Sequence, residues 1–169
     1  LVPRQAAAQA YSNPAESART GLGVHGTGAA GLAAVGAELS GAGQAALDRA
    51  RDYLRKREQF GRLIGENQAL RHRASEMLVS LEMARSMAMA AAVAADDASA
   101  EDSAPDLHRA KLSVARNARN VALGAIQLHG GIGMTEEYAV GHYLRRIHVL
   151  DQMFGDADAH AARLAAALL

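Results

Sequence analysis

Cysteine is absent from the 169 residues, which excludes disulfides, thiol nucleophiles and thiolate metal ligands at the outset. Tryptophan is absent as well, and only two Phe and four Tyr stand in a hydrophobic half where alanine predominates. So few aromatics favour helices packed at close range over a β-sandwich. No charge of either sign is in excess: 18 basic and 18 acidic side chains cancel, leaving no electrostatic footprint for nucleic acid or an anionic membrane surface. No run of about 18 or more strongly apolar residues suggests a membrane span. No basic-then-apolar leader suggests secretion. The expectation is a soluble cytoplasmic chain of single-domain size, long enough to bury one core.

Periodicity supplies what the absences leave open. Residues 1–28 are poor in large apolar groups, and Pro14 breaks any early helix; they are expected to form a linker or the edge of a preceding domain. Leu1-Val2-Pro3-Arg4 spells a protease recognition sequence of the kind built into expression tags and is set aside from fold reasoning. Gly21-Leu22-Gly23-Val24-His25-Gly26 fits G-x-G-x-x-G, but no hydrophobic strand precedes it, so a linker is the better reading. Residues 29–169 read as a helical bundle domain. Leu32, Val35, Leu39, Ala42, Ala46, Ala50 and Tyr53 recur at helical steps up to about Arg57. Gly61 and Gly65 bracket a turn. A second helix runs from near Asn67 to Ala95, with Leu70, Met77, Leu81 and Ala84 on one face.

An acidic loop follows, with Asp96, Asp97, Glu101 and Asp102. Ser103 then caps a third helix, with Pro105 in its first turn. Leu107, Ala110, Val114, Ala118, Val121, Ala125 and Leu128 form a nearly heptad row, ended by Gly130 and Gly131. Two shorter helices are expected near 136–150 and 156–168. No strand pattern is present. The fold class is therefore all-α, an antiparallel four-helix-bundle-like domain.

Two stretches are too specific for a generic bundle. One runs from Leu47 to Gln68 and contains Tyr53, Arg57, Phe60 and Gly61; the other is Gln127-Leu128-His129-Gly130-Gly131-Ile132-Gly133. In order and spacing they resemble the C-terminal helical domain of the acyl-CoA dehydrogenase family. That resemblance implies FAD as cofactor and an acyl-CoA as substrate. It also implies a homo- or hetero-oligomer with another subunit of this type, in which one subunit's domain embraces the adenosine-diphosphate half of a flavin held by its neighbour. By the same resemblance Arg57 pairs with the pyrophosphate, a role suited to a planar, permanently charged fork. Phe60 and Gln68 then line the flavin site, and Gln127, Gly130 and Gly131 approach the adenine and ribose.

The reaction the resemblance implies is α,β-desaturation of an acyl-CoA thioester, in which a carboxylate removes the α-proton while hydride leaves for the flavin. Here the chain departs from the family. The expected Glu position, counted from Arg145, holds Phe154, which takes no proton. The alternative position on the first helix, counted back from Arg57, holds Gly31, followed by Leu32 instead of the usual Arg. Asp151 and Asp156 are weak substitutes in a shifted geometry. Glu38 lies seven residues beyond Gly31, about 10 Å along a helix axis. The N-terminal helical and central β-domains that complete the family's pocket are also missing from these residues.

Two functions of different class follow. One is an acyl-CoA dehydrogenase C-terminal domain, with a sharper version as the non-catalytic subunit of a hetero-oligomer. The other is a helical assembly subunit without flavin. The histidines show no H-E-x-x-H or similar spacing, so no metal site is expected. His142 and His148 flank Arg145-Arg146 as a surface or subunit contact. Met77, Met83, Met87 and Met89 read as core or interface filler.

Overall fold

The computed structural model describes residues 27–96 and 100–168. The linker reading, the glycine motif at 21–26, the tag-like Leu1–Arg4 and Asp97 of the acidic loop lie outside the described residues. Helix α1 spans Thr27–Lys56, α2 Gln68–Asp96, α3 Ala100–His129, α4 Ala139–Gln152 and α5 Ala157–Ala166. Short 3-10 turns at Ile64–Glu66 and Gly130–Met134 enter α2 and leave α3.

The three long helices pack pairwise, α4 lies against α1 and α3, and α5 lies on α3. This is the expected all-α bundle, with α3 in contact with every other α-helix. All seven residues of its heptad row are buried, from Leu107 through Val114, Ala118 and Val121 to Leu128. They meet Leu39, Ala46 and Leu47 of α1 and Met77, Leu81 and Ala84 of α2. Each leucine so buried contributes about 1.5–3 kcal/mol, while the alanines between them let the helix axes approach. Overpacking that seam with Ala118→Leu costs about 1–3 kcal/mol.

Three expectations are corrected. A two-stranded antiparallel ladder is present after all: β1 (Glu58–Gln59) pairs with β2 (Arg62–Leu63), with Glu58 opposite Leu63 and Gln59 opposite Arg62. Strands of two residues are too short to show any alternation. Helix α3 begins at Ala100, before Ser103, which is buried inside its first turn, and Pro105 falls at the sixth residue. Helix α2 is, by length and composition alone, long and apolar enough to cross a membrane, with a window of mean hydropathy 1.4 of which 22% is buried. Alanine and methionine supply that hydropathy, diffusely enough to escape a search for strongly apolar runs.

Candidate functional site

The residues singled out from the sequence fall at two places. At the first, the C-terminal ends of α1 and α3 and the start of α2 share one end of the bundle. Arg57 follows α1 directly; its backbone N–H donates to Tyr53 O at 2.9 Å and its carbonyl accepts from Ile64 N at 2.9 Å. Its guanidinium is exposed and makes no ion pair among the described residues. Phe60 and Gly61 form the two-residue loop between β1 and β2, with φ of 55° and 75°. Two positive φ angles make this a type I′ turn, which favours Asn-Gly and into which a phenylalanine is forced. Phe60 is 100% exposed at its tip. Gln68 opens α2, and Gln127 lies two residues before the end of α3; both are exposed.

Gly130 takes φ 65°, the left-handed conformation expected after the helix. A β-carbon at Gly130 or Gly131 would meet nothing within 4 Å, so the backbone here faces open space. Beneath it, Tyr53 of α1 stacks on His129 of α3 with ring centroids 4.4 Å apart. His129 Nδ1 lies 2.7 Å from Ala125 O, which only accepts, so Nδ1 carries the proton. Its Nε2 is buried without a partner among the described residues. Burial holds the His129 pKa below the usual imidazole value, against the opposing pull of the Ala125 carbonyl. Gln127 also lines a groove of about 520 Å³ between α2 and α3, where Arg73, Ser80 and Asn120 join it. Those three escaped the sequence reading because nothing in their spacing marks them.

At the second place, Phe154 and Gly31 meet. The Phe154 ring lies so close to α1 that a β-carbon on Gly31 would sit 2.4 Å from Cζ. The two positions singled out separately are thus one place, an aromatic ring seated in a notch that only glycine leaves. Phe154 has φ 61°, followed by Gly155 at 95°. Phe60 and Phe154 are the two non-glycine residues of positive φ among the described residues, and each costs roughly 1–3 kcal/mol of backbone strain.

The three carboxylates considered as substitutes from the sequence are all engaged. Asp156 accepts from Ala159 N at 2.8 Å and caps α5. Asp151 accepts from Ala157 N at 3.2 Å and pairs with Lys111 Nζ at 3.4 Å. Glu38 binds Arg146 of α4 through both Nε, at 2.7 Å, and a terminal nitrogen.

Nothing in the residue spacing marks the polar cluster beside the notch. Lys111 is buried inside α3, its pKa lowered by burial and partly restored by Asp151. Beside it His108 Nδ1 lies 2.9 Å from His160 Nδ1. One nitrogen must donate and the other accept, so at least one ring is neutral. Burial pulls His108 down to about 4, helped by Arg163. Burial likewise pulls His160 down to about 3, helped by His108, Lys111 and Arg163. Among the described residues no group of His, Asp and Glu is arranged to hold a metal ion.

Residues 29–169 match a family described as acyl-CoA dehydrogenase, C-terminal domain. The mitochondrial isovaleryl-CoA dehydrogenase of Arabidopsis thaliana is 39% identical over 102 residues, covering 60% of this chain and 24% of the relative. Acyl-CoA dehydrogenase IpdE2 of Mycolicibacterium smegmatis is 34% identical over 130 residues, covering 77% and 40%. A solved glutaryl-coenzyme A dehydrogenase in complex with glutaryl-CoA superposes with a TM-score of 0.72 at 29% identity, covering 79% and 34%. The chain therefore spans between a quarter and two fifths of the length of these relatives.

Proposed function

Because the chain belongs to the acyl-CoA dehydrogenase family, as its C-terminal domain, we propose that it holds the nucleotide half of an FAD across a subunit interface and leaves proton abstraction to another chain. Family members bind FAD, and the residues present here fit that group. An unpaired Arg57, a wholly exposed Phe60 and the open backbone of Gly130-Gly131 share one end of the bundle. Arg57 supplies a permanent fork for the pyrophosphate. Phe60 offers a ring held out of the protein, and Gln68 and Gln127 bring amide donors and acceptors. When bound, the flavin supplies the hydride-accepting chemistry of an acyl-CoA desaturation.

The single observation that carries the division of labour is the Phe154 ring in the Gly31 notch. Neither side chain titrates, and Asp151, Asp156 and Glu38 are bound to other groups. In this reading acyl-CoA meets its base on a partner subunit, and this chain binds and orients. Association is supported by α2, which leaves Val79, Met83, Met89 and Val93 exposed, a row of apolar side chains that a second chain would cover.

The test is flavin retention by the full-length protein that carries this chain. Arg57→Ala is expected to weaken retention at least tenfold by absorbance after gel filtration, since a charge-assisted bidentate contact is lost. Protein that stays colourless with added FAD, alone and with co-purified subunits, supports the flavin-free assembly module instead.

A further inference from the structure

A buried ammonium ties the turn that presents Phe154 to α3. Lys111 Nζ donates to Asp151 O at 2.8 Å and to Gly155 O at 2.9 Å, and it lies 3.4 Å from the Asp151 carboxylate. The two carbonyls bracket residues 152–154, so one cation ties both ends of the turn to α3. Its side chain is 0% exposed, and a buried ammonium costs several kcal/mol unless its donors are used. Here three donors meet three oxygens. Between the tied ends Phe154 is forced into the left-handed region at φ 61°, and its ring lands on Gly31. Against the other side of the turn, His160 Nε2 lies 3.5 Å from the place of a Gly155 β-carbon.

We propose that Lys111 is the positioning residue of this turn: by holding the Asp151 and Gly155 carbonyls it fixes the backbone that aims residue 154 at Gly31. A strained conformation persists only where its surroundings over-determine it; the Asp151 carboxylate also spans the turn to Ala157 N and His160 meets the Phe154 backbone, and the lysine is the group that ties both ends to α3. The turn is accordingly a preset holder whose aim is set from α3, independently of the side chain at 154. The significance of position 154 rests on the function proposed above, but the geometry does not, and the test reads the geometry alone.

The chain contains two phenylalanines, one in solvent and one packed, so fluorophenylalanine labelling gives two fluorine resonances, assigned with Phe60→Leu. In the full 169-residue chain, Lys111→Met is expected to move the Phe154 resonance most of the way to the solvent-like position of Phe60. The Phe60 resonance and the helical circular dichroism are expected to stay. A folded Met variant with both resonances in place overturns the proposal. If that variant loses its helical signal, Lys111→Gln, which keeps one amide donor in the same space, is read in its stead with the same expectation. A folded Gln variant with an unmoved Phe154 resonance overturns the proposal. So does loss of fold in both variants, since Lys111 would then hold the bundle and not the turn. Failure of flavin binding would leave these spectra unchanged, so the two readings fail separately.

Discussion

The Phe60-Gly61 and Phe154-Gly155 turns share a backbone, a left-handed phenylalanine followed by a left-handed glycine, yet one ring stands wholly in solvent and the other is packed on α1. At Phe60 no packing among the described residues offsets the strain, and the type I′ turn would be easier with Asn-Gly. At Phe154 the strain is offset by apolar contact with two core clusters and by the Lys111 clamp. The difference teaches which turn is completed from inside the molecule and which awaits something outside it. In the function proposed above, the first end offers what a bound nucleotide needs, and the second holds packing where a base is expected.

The largest expected effect comes from filling the notch. Gly31→Leu drives a side chain into the Phe154 ring and should lower stability by about 1–3 kcal/mol or more, read as the urea midpoint. Adding Phe154→Ala should restore part of the loss, with a coupling of about 0.5–3 kcal/mol as for residues in contact. Unchanged midpoints would mean that the ring does not occupy the notch.

The next effect reads the buried histidine pair by pH, with His129 at the other end adding to it in the same direction. His108 and His160 are held neutral, their pKa values pulled to about 4 and about 3 from an unfolded value near 6.5. As pH falls below the unfolded value the unfolded chain takes up protons and the folded one does not, so stability falls with pH through that window. It levels off once the folded pair is protonated. The melting temperature should therefore drop steadily between about pH 6.5 and 4, and replacing both histidines by leucine should flatten that part of the curve. A curve just as steep in the double variant would assign the drop to other groups.

The smallest effect compares the rings directly. Phe154→Ala loses packing and should cost about 1–3 kcal/mol, below the roughly 3–5 kcal/mol of fully buried aromatics because the ring is half-buried. Phe60→Ala should stay within about 0.5 kcal/mol while weakening flavin retention. Equal losses of stability in the two variants would erase the distinction between the ends.

Much of the bundle was legible because helices advertise themselves locally. The row from Leu107 to Leu128 repeats often enough to name seven buried residues of its seam, though not Ala115 or Ala122, and Gly130 marks the helix end by the conformation only glycine takes cheaply. The ladder at Glu58–Leu63 was not legible, since two-residue strands carry no period and Phe60 is a poor residue for the turn that makes it. Lys111 looked like one charge on an amphipathic helix. Only tertiary structure shows that the Asp151–Gly155 turn folds over it. The same holds for Gly31 and Phe154: each was visible as a departure from the family pattern, but their contact joins α1 to the turn before α5. Arg57, Phe60, Gln68 and Gln127 were chosen by resemblance, and the structure adds their shared end of the bundle and their exposure.

The central claim, a flavin-holding end kept beside a base that has been lost, is tested most directly by anaerobic spectroscopy. The full-length protein carrying this chain, purified as its own oligomer and loaded with FAD, is mixed with acyl-CoA thioesters while the visible flavin bands are followed. The account predicts bound flavin whose bands persist, and bleaching only after a partner subunit bearing a carboxylate is added. Bleaching of the homo-oligomer by an acyl-CoA, abolished by Asp156→Asn, would contradict it.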